Sequence, residues 1–214
     1  MTNPARRATY QDVLDAPPEK IAEVIGGELH LSRPRAPHNG VAIPLSSELF
    51  QLFQRGRGGP GGWIFHIEPE LHFSDDVLVP DLAGWRRERM PATEDVAFMT
   101  LAPDWLCEIL SPSTEKIDRM DKLPIYAAEG VKHVWLVHPI RRTVEVLRLQ
   151  DGAWFAVATH RGDQRVRAEP FHAAELDLAV LWADLAAPRG DRASEASEPY
   201  WLEAYEPSDA HEPY

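Results

Sequence analysis

Two acidic residues lie inside apolar segments that have the pattern of β-strands. Asp81 follows Pro80 within VLVPDLAGW, and Glu108 lies within DWLCEIL. A carboxylate in such a segment costs several kcal/mol unless it is paired or bound to a cation. If the two strands are neighbours, both carboxylates project at the same edge of the sheet. Hard cations such as Mg2+ prefer oxygen ligands of this kind, so the two acids are candidate metal ligands.

The helix expected after the Ser-Pro-Ser break could supply a positive charge to these acids. It is predicted to run from Thr114 to about Glu129. Asp118, Lys122 and Tyr126 recur every four residues, so they lie on one face of that helix. A lysine reaching back from this face could balance the two carboxylates and orient a water or a scissile phosphate.

The strand that contains Glu108 also contains Cys107, the single cysteine of the chain. One cysteine cannot form an internal disulfide, and in an apolar run it is expected to be a buried small hydrophobe and not a nucleophile. Side chains alternate along a strand. The alternation predicts one face with Trp105, Cys107 and Ile109, and another with Leu106, Glu108 and Leu110.

The elements that must position these residues follow from periodicity and turn signals. Their order suits a mixed β-sheet flanked by helices, an α/β fold with additional β-hairpins. The expected elements are a hairpin at 21–32 around Gly26-Gly27, a helix that starts near Pro44, strands at 63–73, 77–85 and 104–110, a helix at 114–129, a strand at 131–139, a hairpin at 143–159 around Asp151-Gly152, and a short helix at about 173–182.

Length and composition favour a single domain. The chain has 214 residues, of which 44% are hydrophobic, enough for one sizeable core. Residues 1–187 are predicted to form the domain, and residues 188–214 an acidic, disordered tail whose aromatic residues could dock onto the domain or a partner. No apolar run is long enough to span a membrane and the start has no signal-peptide pattern, so a soluble cytoplasmic protein is expected.

The formal net charge of −12 is unusual for a protein that binds nucleic acid. Residues 188–214 account for −5 of it, with seven acidic residues against two arginines. A DNA-binding face would need local basic patches. The candidates are Arg55 with Arg57, the run from Arg86 to Arg89, and Arg141 with Arg142.

The stretch PDWLCEILSPSTEKIDRMDKLPIYAAEGVKHVWLVHP, preceded by VLVPDLAGW, resembles a bacterial family. It is the family of Uma-type "putative restriction endonucleases", long catalogued as a domain of unknown function and placed in the PD-(D/E)XK nuclease superfamily. A weaker match includes IAEVIGGELHLSRPRAPHNGVAI, so the resemblance covers roughly residues 20–180. It implies a restriction-endonuclease-like fold.

The resemblance also assigns roles. Asp81 matches the Asp of the PD motif and Glu108 the acidic residue of the (D/E)XK motif, but Leu110 stands where the motif has lysine. Lys122 on the following helix is then the displaced lysine. The implied activity is hydrolysis of phosphodiester bonds, in DNA, by an endonuclease in which Asp81, Glu108 and the main-chain carbonyl of Ile109 hold Mg2+ or Mn2+. Cutting both strands of a duplex is simplest with two active sites, so a homodimer is expected.

Three further residues are weaker candidates. His38 matches the family's His and could contact phosphate or a metal-bound water, Glu23 could be catalytic or a partner of a basic residue, and Glu70 could be an outer ligand. His138 stands where the family usually has Asp, which leaves the role of that acid open. Other histidines, namely His66, His72, His133 and His160, show no ligand spacing, so zinc is not expected.

Three other interpretations stay open on these residues. The chain could be a catalytically silent member of the fold that binds nucleic acid or a protein, which the acidic charge favours. It could hydrolyse small substrates with paired carboxylates, in a deep apolar pocket. The Asp81, Glu108 and Lys122 triad could also be only an ion-pair network in a sheet.

Overall fold

The computed structural model describes residues 6–33, 36–93 and 95–186, and for residues 36 and 37 only the backbone. The predicted tail at 188–214, with its aromatic residues, lies outside these ranges, so the domain boundary stays a prediction. Within the described ranges, no helix is long and apolar enough to cross a membrane.

The described chain is built from short helices and twelve short strands. The helices are α1 (Tyr10–Leu14), α2 (Ala36–Leu49) continued by a π-helical turn (Phe50–Gln54), α3 (Glu115–Ile117) continued by a second π-helical turn (Asp118–Lys122), α4 (Leu123–Ala128) and α5 (Ala179–Trp182). The strands are β1 (Ile21–Ile25), β2 (Glu28–Ser32), β3 (Trp63–Ile67), β4 (Leu71–Phe73), β5 (Asp76–Leu78), β6 (Leu82–Arg86), β7 (Trp105–Ile109), β8 (His133–His138), β9 (Thr143–Gln150), β10 (Ala153–Arg161), β11 (Arg165–Val166) and β12 (Leu176–Asp177).

The central sheet has six strands in the order β10-β9-β8-β7-β6-β3. Strands β7 and β8 are parallel, and the other neighbours are antiparallel. The helical segment of α3 and α4 connects the parallel pair, as parallel strands require. Asp151 and Gly152 both have positive φ, 51° and 78°, in the tight turn of the β9–β10 hairpin. The mixed sheet flanked by helices confirms the predicted fold class.

A second sheet, with the order β2-β1-β5-β4, was not expected from the sequence. The two long runs predicted as single strands, 63–73 and 77–85, are each divided between the two sheets, so those predictions were wrong. The first run breaks at Glu68, which has a φ of 47° and precedes Pro69. The second breaks at Pro80, which has no N–H for a ladder. Asp81 therefore lies at a crossing between sheets and not within a strand.

The two faces of the central sheet cover separate hydrophobic clusters. Trp105, Cys107 and Ile109 of β7 pack into one cluster, and Leu106 and Leu110 into the other. This confirms the predicted alternation and the burial of Cys107. Glu108 consequently points to the face that α4 covers.

Two helix predictions need correction. Helix α2 begins at Ala36 and contains Pro44, so it does not start near that proline. Pro44 inside the helix costs about 3 kcal/mol, because proline has no N–H to donate and its ring crowds the preceding turn. Burial of a continuous apolar face that includes Val41, Leu45 and Leu49 offsets this cost.

The helix predicted at about 173–182 is reduced to Ala179–Trp182. Leu176 pairs instead with Val166 in a two-stranded sheet. The side chain of Asp177 accepts the backbone N–H of Ala179 at 3.0 Å, which starts the helix only there.

Candidate active site

Asp81 and Glu108 meet where β6 and β7 lie side by side. The antiparallel pairing of Leu82 with Cys107 places Asp81 opposite Glu108. Oδ2 of Asp81 accepts the backbone N–H of Ile109 at 2.6 Å. The two predicted strands are thus neighbours, and the Asp81 carboxylate is fixed against the main chain next to Glu108.

Lys122 extends into the same region and contacts three carboxylates. Its Nζ lies 2.9 Å from Oε1 of Glu23, 3.3 Å from Oδ1 of Asp118 and 3.4 Å from Oε1 of Glu108. The Lys122 side chain is only 5% exposed. The structure therefore brings Lys122, predicted to be the displaced lysine, to Glu108, together with Asp118 and Glu23.

Tyr126 completes the contacts of Glu108 and is fully buried. Its hydroxyl donates to Oε1 of Glu108 at 2.6 Å. Both contacts of this carboxylate with described side chains, from Tyr126 and Lys122, go to Oε1. Its second oxygen, Oε2, is the one left for another ligand.

A π-helical turn determines how the helix presents these residues. The backbone N–H of Leu123 donates to the carbonyl of Asp118, five residues back. The following residue, Pro124, has no N–H to donate, which disfavours regular α-helical bonding at this point. Such turns are frequent at functional sites. Here the turn contains both Asp118 and Lys122.

The second sheet supplies Glu23. Strand β1 pairs with β5, and Oε1 of Glu23 accepts the backbone N–H of Val79 at 2.8 Å. The carboxylate is thereby held beside Lys122, although Glu23 lies far from it in sequence. Glu23 thus belongs to the site.

His38 and Glu68 border Asp81. Nδ1 of His38 lies 3.5 Å from Oδ1 of Asp81, and its Nε2 is buried without a hydrogen-bond partner among the described residues. Glu68 lines the same cavity and was missed in the sequence. Burial raises the pKa of the Glu68 carboxyl, repulsion from Asp81 adds to the rise, and His38 opposes it.

The buried carboxylates outnumber the cations that face them. Burial raises the pKa of Glu108 well above its ordinary value, against the opposing effect of Lys122. Burial likewise raises the pKa of Asp118. For Lys122, burial lowers the pKa, but the carboxylates of Glu108, Glu23 and Asp118 outweigh it and the net shift is upward. The lysine is therefore charged, whereas the raised pKa values of Glu108 and Asp118 show that full ionisation of these acids is disfavoured without a further cation.

These residues line a cavity of about 480 Å³ between the two sheets and the helix. Its wall includes Asp81, Glu108 and Lys122, and Lys20 and Arg33 contribute further positive charge. The predicted basic patches do not line it. In two of them the arginines have other contacts: Arg86 stacks over Trp63, Arg89 pairs with Asp104, and Arg141 pairs with Glu115.

The oxygens that face the cavity fit a hard cation with few protein ligands. Of the Asp81 and Glu108 carboxylates, Oδ1 of Asp81 and Oε2 of Glu108 accept no hydrogen bond from the described backbone or from a described tyrosine. Within the described ranges, no group of three or more His, Cys, Asp or Glu side chains is placed to hold a metal ion. Mg2+ commonly binds through one or two carboxylates plus water and substrate phosphate, so the pair fits that ion.

Two residues named in the sequence lie elsewhere. Glu70 is not among the cavity residues; its Oε1 bonds Nε2 of His72 at 2.7 Å, so Glu68 and not Glu70 is the acid of this segment at the site. Nδ1 of His138 accepts the backbone N–H of Arg141, and its Nε2 lies 3.7 Å from Glu115. Burial lowers the pKa of His138.

Comparisons with known proteins identify the family and the fold of the chain. The family model described as "Uma2: Putative restriction endonuclease" matches residues 7–181. A crystal structure of "a putative nuclease belonging to DUF820" from Anabaena variabilis has a TM-score of 0.65 and 24% identity, over 82% of this chain and 98% of that chain, which shows a shared fold. No curated protein matches. Because the family model covers most of its length, the chain belongs to the Uma2 family of "putative restriction endonucleases".

Proposed function

We propose that this protein is a metal-dependent endonuclease that hydrolyses phosphodiester bonds in DNA. The observation that carries the proposal is the convergence of Asp81, Glu108 and Lys122 on one cavity wall. Family membership supports nuclease chemistry for the chain. Two carboxylates and one ammonium are the minimal set for holding a divalent cation and offsetting charge on a phosphate.

Asp81 and Glu108 would hold Mg2+ or Mn2+ through their free oxygens, and the main-chain carbonyl of Ile109 is the proposed third ligand. Bound there, the cation supplies Lewis acidity toward the scissile phosphate and the attacking water. The N–H of Ile109 fixes one oxygen of Asp81, and Tyr126 fixes one oxygen of Glu108. These contacts orient the remaining oxygens before any ligand arrives.

Two further side chains face the substrate position. Lys122 places a permanent positive charge beside Glu108, which stabilises negative charge developing on the phosphate. His38 borders Asp81, and its Nε2 has no hydrogen-bond partner among the described residues, so it could bond a phosphate oxygen or the attacking water.

Positive charge at the cavity bears on the choice of DNA as the substrate. Lys20 and Arg33 line the cavity and provide phosphate contacts. The cation adds local positive charge to a chain of net charge −12. Both contributions lie at the cavity, so we expect DNA binding that depends strongly on the divalent ion and on salt concentration.

We also propose a homodimer. Strand β10 is an edge of the central sheet, spans nine residues and exposes Phe155 at 50% and Val157 at 37%. A long apolar edge is a template for pairing with another strand. Phe155→Lys should convert a dimer to a monomer in analytical ultracentrifugation; a monomeric wild type contradicts the proposal.

The function is tested with purified protein on plasmid and single-stranded DNA with Mn2+, Mg2+ or EDTA. Asp81→Asn and Glu108→Gln should lose Mn2+ binding, measured by calorimetry, together with cleavage. Lys122→Met should lose cleavage. Glu70→Gln is the matched control, because this acid is outside the cavity and should leave both properties unchanged.

The possible outcomes separate the alternatives. Absence of cleavage on every DNA form together with absence of divalent-ion binding refutes the proposal. Ion binding without cleavage indicates the catalytically silent member of the fold. Cleavage that survives both Asp81→Asn and Glu108→Gln places the activity elsewhere or in a contaminant.

A further inference from the structure

Two arginine-rich segments that are far apart in sequence meet at one end of the central sheet. The loop at 55–62 leads into β3, and the segment at 86–89 begins with the last residue of β6. Trp63 of β3 pairs with Arg86 of β6, and the backbone N–H of Arg87 donates to the last carbonyl of the loop at 3.0 Å. The two segments thus form one surface, here called the arginine surface, which consists of Arg55, Arg57, Arg86 and Arg87.

The loop that carries half of this surface is fixed against the end of α2. The backbone N–H of Arg57 donates to the carbonyl of Gln51 at 2.8 Å, and that of Gly61 donates to the carbonyl of Leu52 at 3.1 Å. A Cβ at Gly59 would lie 2.5 Å from the carbonyl oxygen of Leu52, so only glycine fits this close approach. The arginines of the loop therefore have a defined position beside β3.

The positive charge of the arginine surface is not neutralised by neighbouring acids. The two segments together contain five arginines and one acid, Glu88. Arg89 pairs with Asp104 and is left out of the surface for that reason. The other four arginines are exposed, and none of them forms an ion pair with a carboxylate of the described residues. In a chain of net charge −12, this is a local reversal of charge that favours an anionic ligand.

The conformation of Arg86 suits a phosphate ligand. Its guanidinium carbon lies 4.2 Å from the centroid of the Trp63 ring, and Trp63 is buried. Stacking on an aromatic ring fixes the plane of a guanidinium and leaves the N–H groups along its edges able to donate. Such a planar group can bond two oxygens of one phosphate. The surface therefore fits the repeated phosphates of a nucleic-acid backbone.

The same two elements connect the arginine surface to the cavity. His38 lies near the start of α2 and Asp81 directly before β6, and both line the cavity. Arg86 ends β6 at roughly 16 Å from Asp81, at about 3.3 Å per strand residue. Arg55 follows the end of the α2 segment at about 25 Å from His38, at about 1.5 Å per helical residue. With about 3.4 Å of duplex per base pair, these distances correspond to about five to seven base pairs.

We propose that the arginine surface is a second DNA-binding site, which holds the phosphate backbone about five to seven base pairs away from the bond positioned at the cavity. The choice of DNA as the ligand rests on the proposed function, whereas the charge and geometry of the surface do not. The surface has no part in holding a divalent ion. Binding of DNA to it therefore persists in EDTA.

The test measures binding of the full chain to a fluorescently labelled duplex by anisotropy in EDTA. The duplex has about 24 base pairs, and the KCl concentration is varied from about 50 to about 200 mM. Arg57→Gln combined with Arg87→Gln removes one arginine from each segment. Each lost phosphate contact lowers the slope of log K against log salt by about 0.9, so the slope should fall by about 1.8. The ratio of wild-type to variant affinity should then shrink about 12-fold over this range of salt.

Two further variants control this measurement. Arg148→Gln combined with Arg165→Gln removes the same charge from two arginines that already pair with carboxylates. This control should keep the wild-type slope, because a paired arginine has little charge to offer a phosphate. Arg55→Gln combined with Arg87→Gln should reproduce the loss seen with the first variant. Circular dichroism confirms that each variant is folded.

Several results would overturn the inference. They are a wild type that does not bind the duplex in EDTA, an unchanged slope in both arginine-surface variants, and an equal loss of slope in the control. If the surface instead bound the acidic residues 188–214 of the chain, its variants would bind DNA as tightly as the wild type or more tightly, which also overturns it.

The outcomes separate this inference from the proposed function. Cleavage of the duplex by the wild type with Mn2+, together with binding that does not depend on the arginine surface, overturns the inference and leaves the nuclease proposal standing. Binding that depends on the arginine surface, in a wild type that cleaves no DNA and binds no divalent ion, supports the inference and refutes the nuclease proposal.

Discussion

The hydroxyl of Tyr126 offers a sharp test of how Glu108 is oriented. Tyr126→Phe removes one oxygen and keeps the buried ring. The lost bond is 2.6 Å long and ends on a buried carboxylate, whose remaining contact, with Lys122, is 3.4 Å long. Burial raises the pKa of Glu108 and so favours its neutral form, and a hydrogen bond between neutral groups contributes about 0.5–1.5 kcal/mol. The free energy of unfolding of the metal-free protein should fall by about that amount.

The same substitution should weaken metal binding. With Oε1 no longer held by the hydroxyl, the orientation of the Glu108 carboxylate is less fixed. Residues that orient metal ligands typically change affinity by about 10–100-fold, and that loss is expected for Mn2+ in calorimetry. Urea denaturation at pH 7.5 without metal gives the stability change.

Tyr10→Phe is the control for this prediction. The Tyr10 ring packs edge-on against His72, away from the cavity residues. Loss of the Tyr10 hydroxyl should leave the Mn2+ affinity unchanged. If Tyr126→Phe also keeps wild-type stability and affinity, the hydroxyl does not orient Glu108 and the reasoning is refuted.

Three other predictions concern titration, burial and packing. Burial raises the pKa of Glu108 above its ordinary 4.5, so above that pH the folded state holds a proton that the unfolded chain has lost. The free energy of unfolding of the metal-free wild type, measured by urea denaturation relative to that of Glu108→Gln, should therefore fall as the pH rises from 4.5. An increase in this difference with pH contradicts the prediction. Cys107 is fully buried, which raises its thiol pKa, so a thiol reagent should react only after denaturant is added; rapid reaction of native protein refutes the placement. A Cβ at Gly84 would lie 2.7 Å from the Phe65 ring, so Gly84→Ala should cost about 1–3 kcal/mol in the same assay; an unchanged midpoint contradicts this.

Local sequence signals were sufficient where neighbours in the chain are neighbours in space. The i,i+4 spacing of Asp118 and Lys122 predicted their contact, and the Asp151-Gly152 pair predicted its hairpin. The alternation in β7 predicted the face of Glu108. In each case the conformation of a single helix, turn or strand determines where the side chains lie.

The second sheet could not be predicted, because it forms between segments far apart in sequence. Glu68 was missed because its left-handed backbone breaks the period-2 pattern at the point where the chain changes sheets. The role of Glu23 depends on β1 pairing with β5. The π-helical turn left only an indirect signal, Pro124 inside a helical pattern.

The position of Lys122 along the chain has a consequence during synthesis on the ribosome. Glu23, Glu108 and Asp118 all emerge before the lysine that neutralises them. A chain ending before residue 122 would lack the ammonium that pairs with these three carboxylates. We therefore expect the cavity to form only after the helical segment that carries Lys122 has been synthesised.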